Sequence, residues 1–310
     1  MRITVCFKGG AIMTKHSKNL RLGHCIGHVL VMTFCLSCLL PFLLLISASL
    51  TEEHALIRNG YSFIPSVFSL ESYKYLGVQI KQIIHAYGIT IFITLVGTTA
   101  SLVITSMMSW ALSRRDLPHR AFFNFILFFT MLFNGGLVPT YIFYTKYLGI
   151  KNTIWALIIP SLLMNAFNVV IMRSYFANNI PYEIVEACKV DGASEMQIFR
   201  KVVIPLSTSI IATVGLLVGI AYWNDWFNGM TYVTESRLYS IQNLLNRIIQ
   251  DAQYMNSMGA QSGVVVDTSQ IPSTSVRMAI AVIGVLPILI IYPFFQRFFV
   301  KGIAIGAVKG

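Results

Sequence analysis

The segment of this 310-residue chain best equipped for chemistry is "AYWNDWFNG", at the end of a long apolar run. Its polar and aromatic side chains are those of Tyr222, Trp223, Asn224, Asp225 and Trp226. Aromatic faces stack on the C–H faces of sugar rings, and amides and carboxylates hydrogen-bond to hydroxyl groups. The segment therefore predicts a surface for a polyhydroxylated substrate. The alternative is an aromatic belt at a membrane interface with a water-exposed Asp.

Other candidate polar groups are sparse. Asn165 and Asn168, in another apolar run, are predicted to line a substrate pathway. His24 and His28 share a helical face at a spacing of four, but no carboxylate lies nearby in the sequence to complete a metal site. The C-x-x-C that begins at Cys35 lies in an apolar run without neighbours that stabilise a thiolate. We therefore predict no metal site.

Sequence motifs of catalysis are missing from the chain. It has no phosphate-binding G-x-x-x-x-G-K-[ST] loop, no H-E-x-x-H and no G-x-S-x-G. We therefore predict a protein that is not an enzyme and has no cofactor of its own.

The composition indicates whether the chain is a soluble or a membrane protein. It is 55% hydrophobic and only 11% charged, against about 25% charged residues in an ordinary soluble domain. These charges are too few to cover a globular surface, so the sequence predicts an integral membrane protein. The net charge of +11 is spread over short gaps between apolar runs, which argues against a nucleic-acid-binding face.

Apolar runs long enough to cross a bilayer define the fold class. A spanning helix needs about 20 residues, since each residue adds about 1.5 Å across a core of about 30 Å. Six stretches meet this length, and the sequence predicts an all-α membrane protein with six transmembrane helices. They are 26–50, 83–109, 121–145, 153–172, 204–226 and 278–296.

The distribution of Lys and Arg predicts the orientation. With the N-terminus in the cytoplasm, fifteen of the 23 basic residues fall in cytoplasmic segments and eight in the opposite ones. Both termini are therefore predicted to be cytoplasmic. The predicted organisation is an N-terminal arm, a six-helix domain with a cytoplasmic loop and an outer loop, and a C-terminal tail. Their ranges are 1–25, 26–297, 178–206, 228–277 and 298–310.

The cytoplasmic loop 178–206 has the signals of two short helices joined by a turn. Pro181 suits a first helical turn, with Asn178 or Asn179 before it as the cap. Ile184 and Cys188, at a spacing of four, are predicted to share the packed face of this first helix, with Val185 beside them.

The second half of this loop begins with a turn. Gly192 permits a backbone conformation that side chains resist, and Ser194 followed by Gln197 is a capping-box pattern. Pro205 marks the junction with the next span. The loop is therefore predicted to be a helix–turn–helix elbow that moves two spans together, with an ordinary amphipathic interfacial loop as the alternative. We call residues 178–206 the elbow.

The stretch "EACKVDGASEMQIFRKVVIPLS" within the elbow resembles the EAA loop of the permease subunits of ABC importers. Cys188 stands where that pattern usually has alanine, a change between small residues. By this resemblance the residues that couple to the ATPase are Glu186, Ala187, Cys188, Asp191, Gly192, Ala193, Ile204 and Pro205.

The resemblance extends over most of the chain. The closing "FFQRFFVKGIAIGAVKG" is similar to the end of maltose-type sugar permeases, and "NGGLVPTYI" resembles the subgroup that imports larger oligosaccharides. It implies a multi-pass permease subunit in the bacterial cell membrane. The implied partners are a second, homologous permease, two cytoplasmic ATPase subunits that use ATP and Mg²⁺, and an extracytoplasmic solute-binding protein that delivers a sugar.

The resemblance also assigns roles. Glu186 contacts the ATPase, Gly192 sets the turn of the elbow, and the outer loop 228–277 touches the binding protein. The G-x-x-x-G formed by Gly215 and Gly219 favours packing against the partner permease. Three alternatives stay open: an ABC permease for a non-sugar solute, a membrane scaffold or sensor with a docking elbow, and a proton-coupled carrier.

Overall fold

A computed structural model describes residues 10–261 and 273–307 of the chain, and side chains mainly for residues 26–251 and 274–290. Of the predicted arm 1–25 and tail 298–310, no side chain is described, so His24 lies outside the described side chains. The chain forms two compact units, Met1–Lys74 with Ser269–Val282, and Tyr75–Thr268 with Ile283–Gly310.

The described residues are mostly helical, as predicted, and contain no β-strand. The longer helices are α1 (Gly10–Ser49), α2 (Glu53–Asn59), α3 (Glu71–Val78), α4 (Ile80–Ser113), α5 (Arg120–Leu132), α8 (Ala166–Asn179), α9 (Tyr182–Val190), α12 (Thr208–Trp223), α14 (Ile241–Gln261) and α15 (Ser273–Ala307). The short ones are α6 (Leu137–Ile142), α7 (Trp155–Ile158), α10 (Glu195–Ile198), α11 (Ile204–Leu206) and α13 (Phe227–Tyr232), with π-helical turns at Phe143–Tyr147 and Phe199–Val203.

In the first unit, a buried carboxylate holds the beginning of α15. The two oxygens of Glu53 accept hydrogen bonds from the backbone N–H groups of Thr274, at 2.8 Å, and Ser275, at 2.7 Å. N–H groups in a first helical turn have no partner within the helix, so this carboxylate caps α15. Burial by itself raises the pKa of Glu53, but the two N–H donors outweigh burial and lower it.

In the second unit, α4 is the central element and packs mainly against α8 and α12. Tyr222 of α12 is fully buried, and its hydroxyl donates to the carbonyl oxygen of Ile158 at 2.8 Å. At the other end of α12, a hydrophobic core continues beneath the elbow. It includes Trp110, Met172, Phe176, Val185, Ile198, Val203 and Val214.

The helices of the described residues match the predicted spans only in part. Two are long and apolar enough to cross a membrane, Ile26–Ser49 and Ile80–Ser113. Two bent pairs also qualify when each pair is taken together: Arg120–Leu132 with Leu137–Tyr147, bent by 112°, and Glu195–Leu206 with Thr208–Trp223, bent by 84°. The sixth predicted stretch lies within α15.

The prediction of continuous helices over 121–145 and 153–172 is wrong. In the first stretch α5 ends at Leu132 and Phe133 is extended, and Gly136, with φ +84°, directly precedes α6. In the second, Ser161 has φ +63° directly after Pro160, and α8 begins only at Ala166. Hydrophobicity averaged over 20 residues does not register such single backbone breaks.

The prediction for the G-x-x-x-G pattern of α12 is also wrong. A Cβ on Gly215 would lie 3.2 Å from Cδ1 of Leu102, and one on Gly219 would lie 3.6 Å from Oγ1 of Thr98. Both neighbours belong to α4, so this small-residue face serves packing within the chain.

Replacing Gly97 tests the packing of α4 on α12. A Cβ at this position would clash with the ring of Tyr222, whose hydroxyl donates to the carbonyl oxygen of Ile158. Because overpacking costs about 1–3 kcal/mol, we expect Gly97→Ala to lower the thermal unfolding midpoint of the detergent-purified protein. Gly88→Ala is the control, since no atom lies within 4 Å of its Cβ. Equal midpoints for the two variants would contradict this packing.

Candidate functional site

The first helix of the elbow begins later than predicted. Asn178 and Asn179 are not its caps, because both belong to the last turn of α8, where Asn179 Nδ2 donates to Tyr175 O at 3.0 Å. Ile180 is extended, as expected for a residue before proline, and this ends α8. Pro181 then takes the N-cap position of α9.

The turn of the elbow depends on one glycine, as predicted. Gly192 has φ +78°, and its N–H donates to Lys189 O at 3.0 Å. The N–H of Ala193 donates to Cys188 O at 2.9 Å. These bonds satisfy the last carbonyl groups of α9 and reverse the chain direction.

The second helix of the elbow begins with the predicted capping box. The N–H of Gln197 donates to Ser194 Oγ at 3.4 Å, and the N–H of Ser194 donates to Gln197 Oε1 at 2.8 Å. The helical path then runs through a π-helical turn to Leu206 and bends by 84° into α12. Pro205 precedes this bend, where it removes a backbone donor.

The residues expected to couple to the ATPase divide into two sets. Cys188, Ala193 and Ile204 pack against the core beneath the elbow. The outward set consists of Glu186, Ala187, Asp191, Gly192 and Pro205, all of which are exposed.

The structure adds apolar groups to the outward surface of the elbow. The side chain of Val190 is 86% exposed and that of Met196 is 50% exposed. Ile184, predicted to share the packed face with Cys188, is also exposed, because Val185 takes the buried position. The EAA pattern does not include Val190 or Met196, so the resemblance did not predict these apolar groups.

A network of four charged side chains fixes the elbow to the end of α4. Arg114 donates to both carboxylate oxygens of Asp116, at 2.9 and 2.7 Å, and to Glu195 Oε2 at 3.0 Å. Lys189 lies 3.3 Å from Asp116 and 3.1 Å from Glu195. Lys189 belongs to the first elbow helix and Glu195 to the second. We call Arg114, Asp116, Lys189 and Glu195 the clamp.

Arg114 is the most buried of the four clamp residues. Its side chain is 9% exposed, and its guanidinium lies 5.4 Å from the ring centre of Trp110. Trp110 in turn makes an edge contact with Phe176 in the core. The planar, fork-shaped guanidinium of Arg114 pairs with two carboxylates, and this geometry favours one orientation of the elbow on α4. No local sequence spacing predicts the pairing of Arg114 with Glu195, because the two residues are 81 positions apart.

The clamp stays charged at neutral pH. The Arg114 side chain donates hydrogen bonds to Asp116 and holds the pKa of that carboxyl well below its usual range. A lowered folded-state pKa contributes stability that is present above the ordinary Asp value of about 4 and is lost as pH falls below it. The clamp is therefore complete throughout the physiological range.

The predicted aromatic surface at the other end of α12 is not a single face. Tyr222 and Trp223 are buried, with the Trp223 indole donating to Gly284 O at 3.3 Å. Trp223 also lines a largely apolar cavity of about 240 Å³ between α4 and α12. These two aromatic side chains support the fold and offer no free ring face to the solvent.

The remaining members of that segment lie nearer the surface. Asn224 and Trp226 are exposed. Asp225 accepts a hydrogen bond from the backbone N–H of Asn228 at 3.2 Å, while its Oδ2 is buried and has no partner among the described residues. Contact of these residues with a substrate stays a prediction.

The two asparagines of the fourth apolar run have different surroundings. Asn165 caps α8, because its Oδ1 accepts from the N–H of Phe167 at 2.9 Å. Asn168 is buried, in the first turn of α8. The side-chain oxygen of Asn165 therefore has a structural role, and a place in the substrate pathway stays a prediction for both asparagines.

The outer loop contains one long amphipathic helix, α14. "IQNLLNRIIQ" lies in α14, and its apolar face is buried at Ile241, Leu244, Leu245 and Ile248. The N–H of Ile241 donates to Thr90 Oγ1 of α4 at 2.8 Å. This half of the helix packs on its own chain, and residues 262–272 of the predicted loop lie outside the described residues.

Neutralising Arg114 should loosen the elbow. Arg114→Gln removes a buried cation from two carboxylates, at a cost of roughly 1–2 kcal/mol. We expect about tenfold faster amide hydrogen exchange in 182–198. Arg115→Gln, at an exposed neighbour for which no ion pair is found among the described residues, is the control. Exchange that is equally slow in both variants would contradict the clamp.

The chain is similar to known transport proteins over most of its length. The family model for the binding-protein-dependent transport system inner membrane component matches residues 88–305. The polygalacturonan/rhamnogalacturonan transport system permease protein YtcP of Bacillus subtilis (strain 168) is 37% identical, over 90% of this chain and 96% of that protein. Protein LplC of the same organism is 36% identical, over 88% of this chain and 90% of that protein.

A solved structure has the same fold. A chain in the crystal structure of a bacterial ABC transporter involved in the import of the acidic polysaccharide alginate superposes with a TM-score of 0.72 at 30% identity. The match covers 90% of this chain and 97% of that one. The protein therefore belongs to the family of binding-protein-dependent transport system inner membrane components, and it is a multi-pass permease subunit of an ABC importer.

Proposed function

We propose that this permease subunit imports oligosaccharides that carry uronic acid units, driven by ATP hydrolysis on separate partner subunits. The observation that carries the coupling role is the elbow, a pair of short helices with an exposed outer surface and a charged clamp to α4. ATP and Mg²⁺ belong to the partner ATPases, and we assign no cofactor to this chain.

The proposed topology has six crossings with both termini in the cytoplasm. The 34 residues of α4 extend about 51 Å, more than the thickness of a hydrocarbon core of about 30 Å. The clamp therefore lies on one side of the membrane and the beginning of α4 on the other. The two bent helix pairs would each count as one crossing. The basic residues near the clamp support the proposed cytoplasmic location of the elbow.

The proposed mechanism transmits motion through the elbow. Val190 and Met196 offer apolar contacts for a groove on the ATPase, and Glu186 offers a charge at the rim. ATP binding would bring the two ATPases together and move the elbow. Because the clamp joins the elbow to α4 and the chain continues from it into α12, both helices would move with it and switch access to the pathway.

The substrate class is inferred from the relatives. The descriptions of YtcP and of the solved transporter name polygalacturonan, rhamnogalacturonan and alginate. All three are polymers that contain uronic acids. A second homologous permease and an extracytoplasmic solute-binding protein would complete the importer. An ABC permease for a non-sugar solute and a scaffold with a docking elbow are the competing functions.

The proposed function is tested with the complete importer. The chain is purified from its native membrane with the proteins that accompany it and reconstituted into liposomes with its binding protein. We expect a homologous permease and an ATPase to co-purify, and galacturonate oligomers with the binding protein to stimulate ATP hydrolysis. Stimulation by a non-sugar solute alone would support that alternative, and recovery without an ATPase would support the scaffold.

The turn at Gly192 should be required for coupling. Proline at this position fixes φ near −65° and removes the N–H that donates to Lys189, whereas the native φ is +78°. We expect Gly192→Pro to abolish transport, and stimulated ATP hydrolysis with it. Gly192→Asn is the control, because Asn adopts the left-handed conformation at low cost. Normal transport by the Pro variant would refute the role of this turn.

The apolar surface of the elbow should determine assembly with the ATPase. Val190→Asp places a charge in the proposed contact, so we expect at least tenfold weaker retention of the ATPase during purification. Val78→Asp is a matched control, because Val78 is 87% exposed but lies beside the opposite end of α4. Equal ATPase retention in the two variants would place the contact elsewhere.

A further inference from the structure

A pocket of about 260 Å³ lies at the beginning of α4, far from the clamp. Its walls come from the first turns of α4 and from the segment between α13 and α14. The side chains that line it include Lys81, Gln82, His85, Arg237 and Tyr239. Since α4 spans the membrane, this pocket lies on the side opposite the elbow.

Contacts between distant parts of the chain hold the pocket in shape. His85 Nε2 lies 2.8 Å from the carbonyl oxygen of Arg237. The Tyr239 hydroxyl donates to Thr234 O at 3.1 Å, and the guanidinium of Arg247 lies 4.4 Å from the centre of the Tyr239 ring. The pocket is therefore part of the folded unit and not a gap beside a free loop.

The charge around the pocket is positive. Lys81 is exposed and has no carboxylate partner among the described residues. Arg237 forms an ion pair with Glu235, and Arg247 donates only to uncharged groups, Asn243 Oδ1 and Val233 O. The charges of these four residues leave an excess of two positive charges. Such a surface favours an anionic ligand.

The pocket has the size and the chemistry for one acidic sugar ring. Pockets for drug-sized ligands have volumes of roughly 300–1,000 Å³, so this one suits a single ring of a longer chain. The ammonium of Lys81 suits a carboxylate, the amide of Gln82 suits hydroxyl groups, and Tyr239 supplies an aromatic wall.

We propose that this pocket binds the carboxylate of a uronic acid unit as the oligosaccharide enters from the outer face. Lys81 pairs with the carboxylate, and Arg247, which has no carboxylate partner among the described residues, supports the positive field. The proposal rests on the proposed function, because it deepens the assignment of an acidic oligosaccharide. It places a specificity-determining contact at the entrance, about 50 Å along α4 from the clamp.

The test measures binding of trigalacturonate and of its fully methyl-esterified form to the purified importer without its binding protein. Wild type should prefer the acid form. Lys81→Gln should weaken binding of the acid by about fivefold and leave the ester unchanged, whereas Lys81→Arg should retain the preference. Lys151→Gln removes an exposed cation outside the pocket and is the charge-matched control.

The binding measurements test the pocket assignment and not the proposed function. Absence of binding by wild type, or equal binding of acid and ester, would overturn the pocket assignment. So would unchanged binding in Lys81→Gln. If this substitution instead weakens association of the binding protein equally with acid or ester bound, the pocket contacts that protein and the proposal fails. The proposed function is tested separately, by transport of trigalacturonate into liposomes that contain the importer, with the binding protein present.

Discussion

The charged clamp at the end of α4 is the interaction on which the functional account depends. A short helix pair at the end of a membrane protein transmits displacement only if it has a fixed pose relative to the spans. Arg114, nearly buried beneath two half-exposed carboxylates, provides that pose by contacting a residue of the second elbow helix directly and the first through Asp116. Trp110 and the core below it keep the guanidinium in place.

The long helix α4 extends from the pocket at Lys81 to the clamp at Arg114. Its C-terminal end carries the clamp, its middle packs against α8 and α12, and its first turns line the basic pocket. Gly97, Gly215 and Gly219 allow the helices to approach closely along this length. In the proposed mechanism, a displacement at the elbow is transmitted along this packed helical path.

Local signals in the sequence predicted most of the elbow but little of its surroundings. Gly192 and the Ser194–Gln197 capping box were predictable because backbone conformation and capping depend on neighbours in sequence. The clamp was not, since Arg114 and Glu195 are distant in sequence and meet only in the fold. Average hydrophobicity likewise missed the breaks near Gly136 and Ser161, and placed buried Tyr222 and Trp223 in a sugar-facing surface.

The most direct test of the central claim is site-specific photocross-linking from Met196, an exposed residue of the second elbow helix, in native membranes. The account predicts a cross-link to a protein that carries a G-x-x-x-x-G-K-[ST] phosphate-binding loop, with a yield that changes when ATP is added. Cross-links only to lipid, or only to proteins without an ATPase domain, would contradict the assignment of the elbow as the coupling element.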